Sequence, residues 1–513
     1  MNKELLAVAK GNRPADLVVK NGKIVNVYSG EIYDGGVAVC GDTIAAVGNV
    51  DYCIGENTKV IDAQGNYITP GFLDGHIHPE SSSLAIRPFA EGVLLHGTTG
   101  IMTDLHEIGV VSGLEGIEAV LKEAEATDLK IYFVVPSHVP FAPNLETSGG
   151  KFDPEIIRKA LSRKDAVGLS ECVGHYILAE HPELMESGVD TSNVSIVTDD
   201  LHTCDLKDRG HLDDALRTAF GQGLGFLKGI QFVTINAARA FQMESKIGSL
   251  TPGRRADINI TTGAEDFKVL STIAGGKQVS QDGKLLVHYE KAEHDPCILN
   301  TVHFVNPITA DSFKMKAPAG AKKVKVLCMD TLPYIPFTSR RDVELNVVDG
   351  VIQCDTDQDV LYIAQVERHG KNGNIGKAFM GGFHIKGGAL ASSVGHDNHN
   401  IIVMGDSFED MALAVNRCAE LGGGQVIVRD GKVAAEVAYP ICGLMSDLSL
   451  DELAAQKKAL NQVAYEMGTP IAIPFMFLCF ICLACIEAYA VTDKGFIDVE
   501  KGQIIDPVLE VIE

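Results

Sequence analysis

The sequence predicts an α/β protein whose central block is a parallel (β/α) barrel, set between a small β-domain and a C-terminal α+β domain. Three observations carry that expectation. Residues 15 to 69 read as short strands joined by turns, and the same pattern returns after Gly248. Between these two segments, apolar strands alternate with helical patterns, as a parallel sheet requires. Ionisable residues gather at the C-terminal ends of those strands, which favours a barrel with its site on that face.

Taken in order, LVVKNGKIVNV places an Asn-Gly turn between two strands. VAVCGDTIAAVG and VIDAQGNYITPG repeat the theme, and GSLTPGRRADINI and VSQDGKLLVH resume it later. One composite β-sandwich domain is therefore expected from residues 1–69 plus 249–294. The barrel is expected over 70–248. Its strands end in FLDGHIH (72–78), TGIMTDLHE (99–107), IYFVVPSH (131–138), AVGLSE (166–171) and VSIVTDD (194–200), with helical stretches such as GLEGIEAVLKEAEA and DPEIIRKALSR between them. Residues 295–513 form the α+β domain, rich in glycine turns and carrying the polar run SSVGHDNHN.

The bulk properties narrow the function. A chain of 513 residues with 46% hydrophobic and 22% charged residues is a soluble, multi-domain protein by composition. A formal charge of −24 argues against a nucleic-acid or anionic-membrane partner, either of which wants a basic face. The first residues have no apolar run after a basic start, so no secretory signal is expected. Twelve scattered cysteines suit a reducing cytoplasm. The apolar stretch at 469–490 contains Pro470, Pro474 and Glu487, so it is expected in the core and not across a membrane. Cys479, Cys482 and Cys485 are expected there as packing residues.

The residues best placed for chemistry begin with His76 and His78. At i and i+2 on a strand they point to one side and can reach one metal at a barrel mouth. Glu171 ends a later strand, where a carboxylate can bridge two cations or simply hydrogen-bond the barrel rim. Asp199 ends the VSIVTDD strand and can bind metal, move a proton or cap a helix; Asp200 reads as a supporting or capping group. Asp104, His106 and Glu107 crowd one strand end. They can contact a polar heterocycle or form a buried network that orients the loops.

Together these motifs resemble the adenine deaminases of the amidohydrolase superfamily. The resemblance runs through PGFLDGHIHPESS, HGTTGIMTDLHEI, VPSHVPFAPNLETSGG, GLSEC, TDDLHTCDL, GSLTPGRRADINI and SSVGHDNHNIIVMGDSFEDMALAVN. It implies a TIM-like barrel, a β-sandwich and a C-terminal domain particular to that family. It also implies hydrolysis of adenine to hypoxanthine and ammonia at a binuclear manganese or iron centre. On that pattern His76 and His78 hold one metal, Glu171 bridges, and Asp199 binds metal and relays the proton. Asp104, His106 and Glu107 fall at the substrate-binding positions. A homo-oligomer is expected from the size of the chain.

The chain departs from the pattern in one place. A barrel of about 250 residues spends about 30 on each strand–helix unit, yet only 28 positions separate Glu171, at strand four by resemblance, from Asp199 at strand eight. Roughly 70–90 residues are missing by that measure, with the seam around Ser187 and Gly188. Strands five to seven are expected to be absent, and with them two metal-binding histidines. Impaired activity follows as an expectation, and a non-catalytic relic or assembly partner of the same fold remains the alternative.

Overall fold

The computed structural model describes residues 3–170, 194–332, 335–485 and 488–513. Alternation of inward Val and Ile with outward polar residues builds the first sheet. β1 (Leu17–Asn26), β2 (Glu31–Cys40) and β3 (Thr43–Gly48) form an antiparallel meander. β4 (Lys59–Asp62) and β5 (Tyr67–Pro70) run parallel to β1.

The chain then passes directly into parallel strands. These are β6 (Phe72–Asp74), β7 (Ile77–His78), β8 (Thr98–Thr103), β9 (Lys130–Val135), β10 (Ala166–Leu169) and β11 (Asp199–Asp200). Four of them form a sheet in the order β10-β9-β8-β6, while β7, next along from β6, pairs in parallel with β11. The first strand of the block is thus flanked on one side by β8 and on the other by the last described strand.

The helix His106–Ala124 crosses from β8 to β9 and buries Ile108, Leu114, Ile117, Val120 and Leu121, a spacing that lays one apolar stripe on the sheet. Helix Pro154–Leu161 starts on an Asp153 side chain that accepts from the Glu155 and Ile156 amides, satisfying donors the helix itself leaves open. Glu171 and the seam at Ser187 and Gly188 lie outside the described residues.

One expectation needs correcting. The strand read over 194–200 is only the two residues of β11. Its leader is held by other means: the Ile196 amide donates to the Phe232 carbonyl and the Asn236 amide group to the Val194 carbonyl. Side-chain and helix-end bonds satisfy this backbone where the pattern had suggested a ladder.

After four short helices between Thr203 and Ala240, β12 (Ile258–Thr261), β13 (Val269–Ala274), β14 (Lys277–Gln281) and β15 (Lys284–Leu285) return to the first sheet. β12 pairs with β5, giving nine strands in all, with β15 at one edge and β3 at the other. The tight turn into β14 needs Gly276: its φ is +79°, and a Cβ there would lie 2.1 Å from the Gly41 carbonyl oxygen.

The C-terminal part is built on a ten-stranded sheet. Its strands Gly388–Ser392 and Ile401–Gly405 pair antiparallel, and the loop 393–400 joins them. The apolar stretch at 469–490 is a short helix, Pro474–Phe480, followed by turns, with Phe475, Leu478, Cys479, Ile481, Cys482 and Cys485 buried. Among the described residues no helix is long and apolar enough to cross a membrane. One continuous apolar core runs from Ile77, Phe89 and Leu121 beside the parallel sheet to Met404, Ile427 and Leu478 in the C-terminal part. The loop 393–400 is thereby pressed against the C-terminal ends of β7, β8 and β11.

Candidate metal centre

His76 and His78 sit at the end of the first parallel strand, their rings 4.7 Å apart and nearly perpendicular. Pairing of β7 with β11 brings Asp199 alongside: its Oδ1 is 3.5 Å from both His76 Nε2 and His78 Nε2. Asp199 has a left-handed backbone, φ +54°, and that turn sends Asp199 to the histidine pair while Asp200 faces elsewhere.

Buried Asp74 holds the register between the two strand ends. Thr198 donates its hydroxyl to Asp74 Oδ2 at 2.7 Å, and the His76 amide donates to Oδ1 at 3.2 Å. Burial pushes the Asp74 carboxyl up to about 7 despite these bonds. His211 lies 3.4 Å from Asp74 and shares a 2.8 Å bond with Thr98; burial drops its basicity to about 3, so it is a neutral ring at physiological pH.

Asp104 follows β8 and lies under the histidines. Its Oδ1 is 3.5 Å from His78 Nδ1 and 3.1 Å from His106 Nδ1, and its Oδ2 accepts from Ser170 at 2.6 Å. Burial opposes its charge, but His106 and His78 outweigh burial and hold the carboxyl well below its ordinary value. The same contacts overcome burial at His78, raising it to about 10. They also raise His106 well above its ordinary range. His106 Nε2 then reaches Asp397 Oδ1 at 3.4 Å, across to the loop 393–400.

Of the residues expected at the site, the structure brings His76, His78, Asp104, His106, Glu107 and Asp199 together, and Glu171 lies outside the described residues. Sequence reasoning did not assign Ser81, Glu80, His396, Asp397 or His399. SSVGHDNHN was a visible signal, but nothing local ties it to residues almost 300 positions earlier. Glu80 is fully buried with no hydrogen-bond partner for either oxygen; burial and then Glu107 raise it to about 8. Glu146, at the far side of the loop, accepts from the Ala142 amide and lies 3.4 Å from the Asn398 amide nitrogen.

The donor chemistry fits a divalent cation. One donor atom each from His76, His78 and Asp199 lies within 4.8 Å of the others, and the same holds for His78, Asp104 and His106. Separations of 3.5 Å are long for hydrogen bonds. They suit imidazole and carboxylate ligands around one ion with bonds of about 2.0–2.2 Å. His78 Nδ1 is buried without a hydrogen-bond partner.

Residues 336–503 match the family model for the adenine deaminase C-terminal domain, and residues 177–279 match that of the amidohydrolase family. The adenine deaminase of Clostridium botulinum is 36% identical over 587 aligned positions, covering 99% of this chain and 98% of that protein. The chain belongs to the adenine deaminase family. The family member from Moorella thermoacetica is 34% identical over 582 positions, at 99% and 98% coverage. Adenine deaminase of Mesorhizobium japonicum is 34% identical over 585, at 99% and 97%. The parallel block is accordingly of the amidohydrolase barrel type, and its candidate His and Asp groups suit a divalent metal.

Proposed function

We propose that this chain hydrolyses adenine to hypoxanthine and ammonia at the mouth formed by β7, β8 and β11. The observation that carries the reading is the convergence of His76, His78 and Asp199 in a chain that aligns end to end with adenine deaminases. His76, His78 and Asp199 would hold a divalent metal, manganese or iron, and Glu171, which lies outside the described residues, would be a further ligand on the family pattern. When bound, such a cation lowers the pKa of water enough to supply a nucleophile at neutral pH.

The protein's own groups do the rest. Asp199, held ionised chiefly by its contact with His76, accepts the proton released by the attacking water at Oδ2, Oδ1 being turned to the histidine pair, and passes it to the departing amino group. Asp104 orients the His78 and His106 rings through Oδ1. Glu107 presents an acceptor to the purine edge, and His106, engaged by Asp104 and Asp397, holds the loop 393–400 beside it. The loop 393–400 covers the mouth and keeps bulk water from the heterocycle.

The same reading includes a shortened barrel. The botulinum alignment spans 587 positions against 513 residues here, so at least 74 positions of that relative face no residue of this chain. That length supports loss of strands five to seven around Ser187 and Gly188, with the two histidines the family carries there, and a reduced rate in consequence. Nothing in the comparisons favours a non-catalytic relic.

Ammonia release from adenine by the manganese-loaded full chain tests the proposal. A rate at least about tenfold above that of His76→Ala, rising further when a family-length segment is inserted at Ser187 and Gly188, is expected. A rate equal to that of His76→Ala, with and without the insert, overturns it.

A further inference from the structure

A small chamber beside the mouth is walled by segments far apart in the chain. It holds about 20 Å³ and is lined in part by Ser83, His202, His396, Gln425 and Lys457. Ser83 ends the short turn that follows β7, and His202 caps the helix Thr203–Asp208. Gln425 lies on the strand Gly424–Arg429 and Lys457 on the helix Leu450–Glu466. The barrel thus supplies one part of the wall and the C-terminal part the other.

The wall carries a positive charge that no described residue offsets. Lys457 is 3% exposed and donates to Ser83 Oγ at 2.9 Å, and among the described residues no carboxylate pairs with it. Burial lowers its pKa to about 8, so it is still an ammonium at pH 7. Two of its three protons remain after the bond to Ser83. A buried ammonium left in this state is costly to the fold. The acids of the mouth do not serve it, because His396 takes their charge: its Nδ1 is 3.6 Å from Glu107 Oε1 and its Nε2 3.7 Å from Asp200 Oδ2. Burial opposes a charge on His396, but Asp200 and Glu107 outweigh burial and raise it to about 9.

The neighbouring groups are set to donate as well. Ser83 bonds to the Tyr439 hydroxyl, which in turn donates to Gln425 Oε1 at 2.9 Å. The Gln425 oxygen is therefore taken, and its NH2 is the group left unused. His202 Nδ1 accepts from the Cys204 amide at 3.2 Å, so the ring carries its proton on Nε2. Burial and then Lys457 keep that ring neutral. The chamber has room for about one water-sized particle. A water there accepts from these groups, yet finds among them no free carboxylate or amide oxygen for its own two protons. An anion needs donors alone, and it also meets the charge of Lys457.

We propose that this chamber binds one small monovalent anion of halide size, held by the Lys457 ammonium, the Gln425 amide and the His202 ring. A single charge matches a single lysine, and the volume excludes phosphate and organic acids. The anion ties the helix Leu450–Glu466 to the barrel residues Ser83 and His202, so the site is complete only when the C-terminal part is docked. It takes no residue from the metal group at His76, His78 and Asp199 and does not depend on the proposed deamination.

Bromide is the probe. Crystals of the full chain grown in sodium bromide, with data taken at the bromine absorption edge, are expected to show an anomalous peak against Lys457 Nζ. Lys457→Met removes the charge, and Gln425→Glu places a carboxylate in the chamber; both are expected to lose the peak. In solution, sodium bromide replaces sodium gluconate at constant ionic strength, gluconate being too large to enter. The melting midpoint of the unmodified chain should rise by about 1–2 °C and saturate, as for a ligand at about ten times its dissociation constant. Both variants should melt at a midpoint that bromide leaves unchanged, with far-UV circular dichroism checking that they fold. No anomalous peak at Lys457 in the unmodified chain overturns the site. So does a peak that persists in Lys457→Met, or a bromide response of equal size in all three proteins.

Discussion

Lys457 is the sharpest test of how the C-terminal part packs on the barrel. It lies on the buried stripe of helix Leu450–Glu466, between Leu453 and Leu460, and is 3% exposed. Its ammonium donates to Ser83 at 2.9 Å and sits 5.6 Å from the Tyr439 ring. Among the described residues it forms no ion pair. Burial lowers its pKa from 10.5 to about 8. At about 1.4 kcal/mol for each pH unit, keeping that charge costs the fold roughly 3 kcal/mol at pH 7. Replacing it in Lys457→Met removes the charge and one hydrogen bond worth about 1 kcal/mol, a net gain of about 2 kcal/mol.

The sign with pH follows from the same values. The folded chain holds this proton less tightly than the unfolded chain, so the penalty is full below pH 8 and fades as pH rises towards 10.5. Urea unfolding followed by far-UV circular dichroism at pH 7 and pH 10 reads both effects. The variant is expected to be more stable by about 2 kcal/mol at pH 7, with most of that advantage gone at pH 10. A variant no more stable at pH 7, or an advantage that persists unchanged at pH 10, refutes the argument.

Other expectations are briefer. Thr198→Val removes the hydroxyl that donates to buried Asp74 and should cost about 1–3 kcal/mol in the urea midpoint. Because Thr198 aligns β11 with the histidine pair, it should also speed manganese loss in a chelator competition. Gly276→Ala combines a left-handed backbone with a Cβ 2.1 Å from Gly41 O, whereas Gly283 has φ +72° and open space around it. The first should lower the urea midpoint much more than Gly283→Ala, which costs about 1 kcal/mol; equal effects would contradict the close approach. Phe89→Ala empties a fully buried position beside the barrel and should cost about 3–5 kcal/mol in the same assay.

Much of this molecule is written in local pattern. The i, i+2 spacing of His76 and His78 follows from strand geometry alone, since alternate side chains share a face. The β-rich leader and its return after Gly248 were legible because turn residues and alternation need no tertiary context. The strand over 194–200 was over-read, because an apolar run says nothing about which groups will satisfy its backbone. Lys457 shares its helical period with Leu453 and Leu460, but a lysine is ordinarily assigned to water, and only the surrounding packing takes it out.

The sequence by itself determined the family, the order of its strands and the histidine pair, because these rest on contacts a few residues apart. Counting positions between Glu171 and Asp199 raised the expectation of a shortened barrel. Only the tertiary structure decided that Asp200 turns away from Asp199 towards Ser81, and that His396 and Asp397 meet Glu107 and His106 from almost 300 residues away. Those meetings depend on how one apolar core joins the C-terminal sheet to the barrel. Such packing is a sum over many side chains, with no local signature of its own.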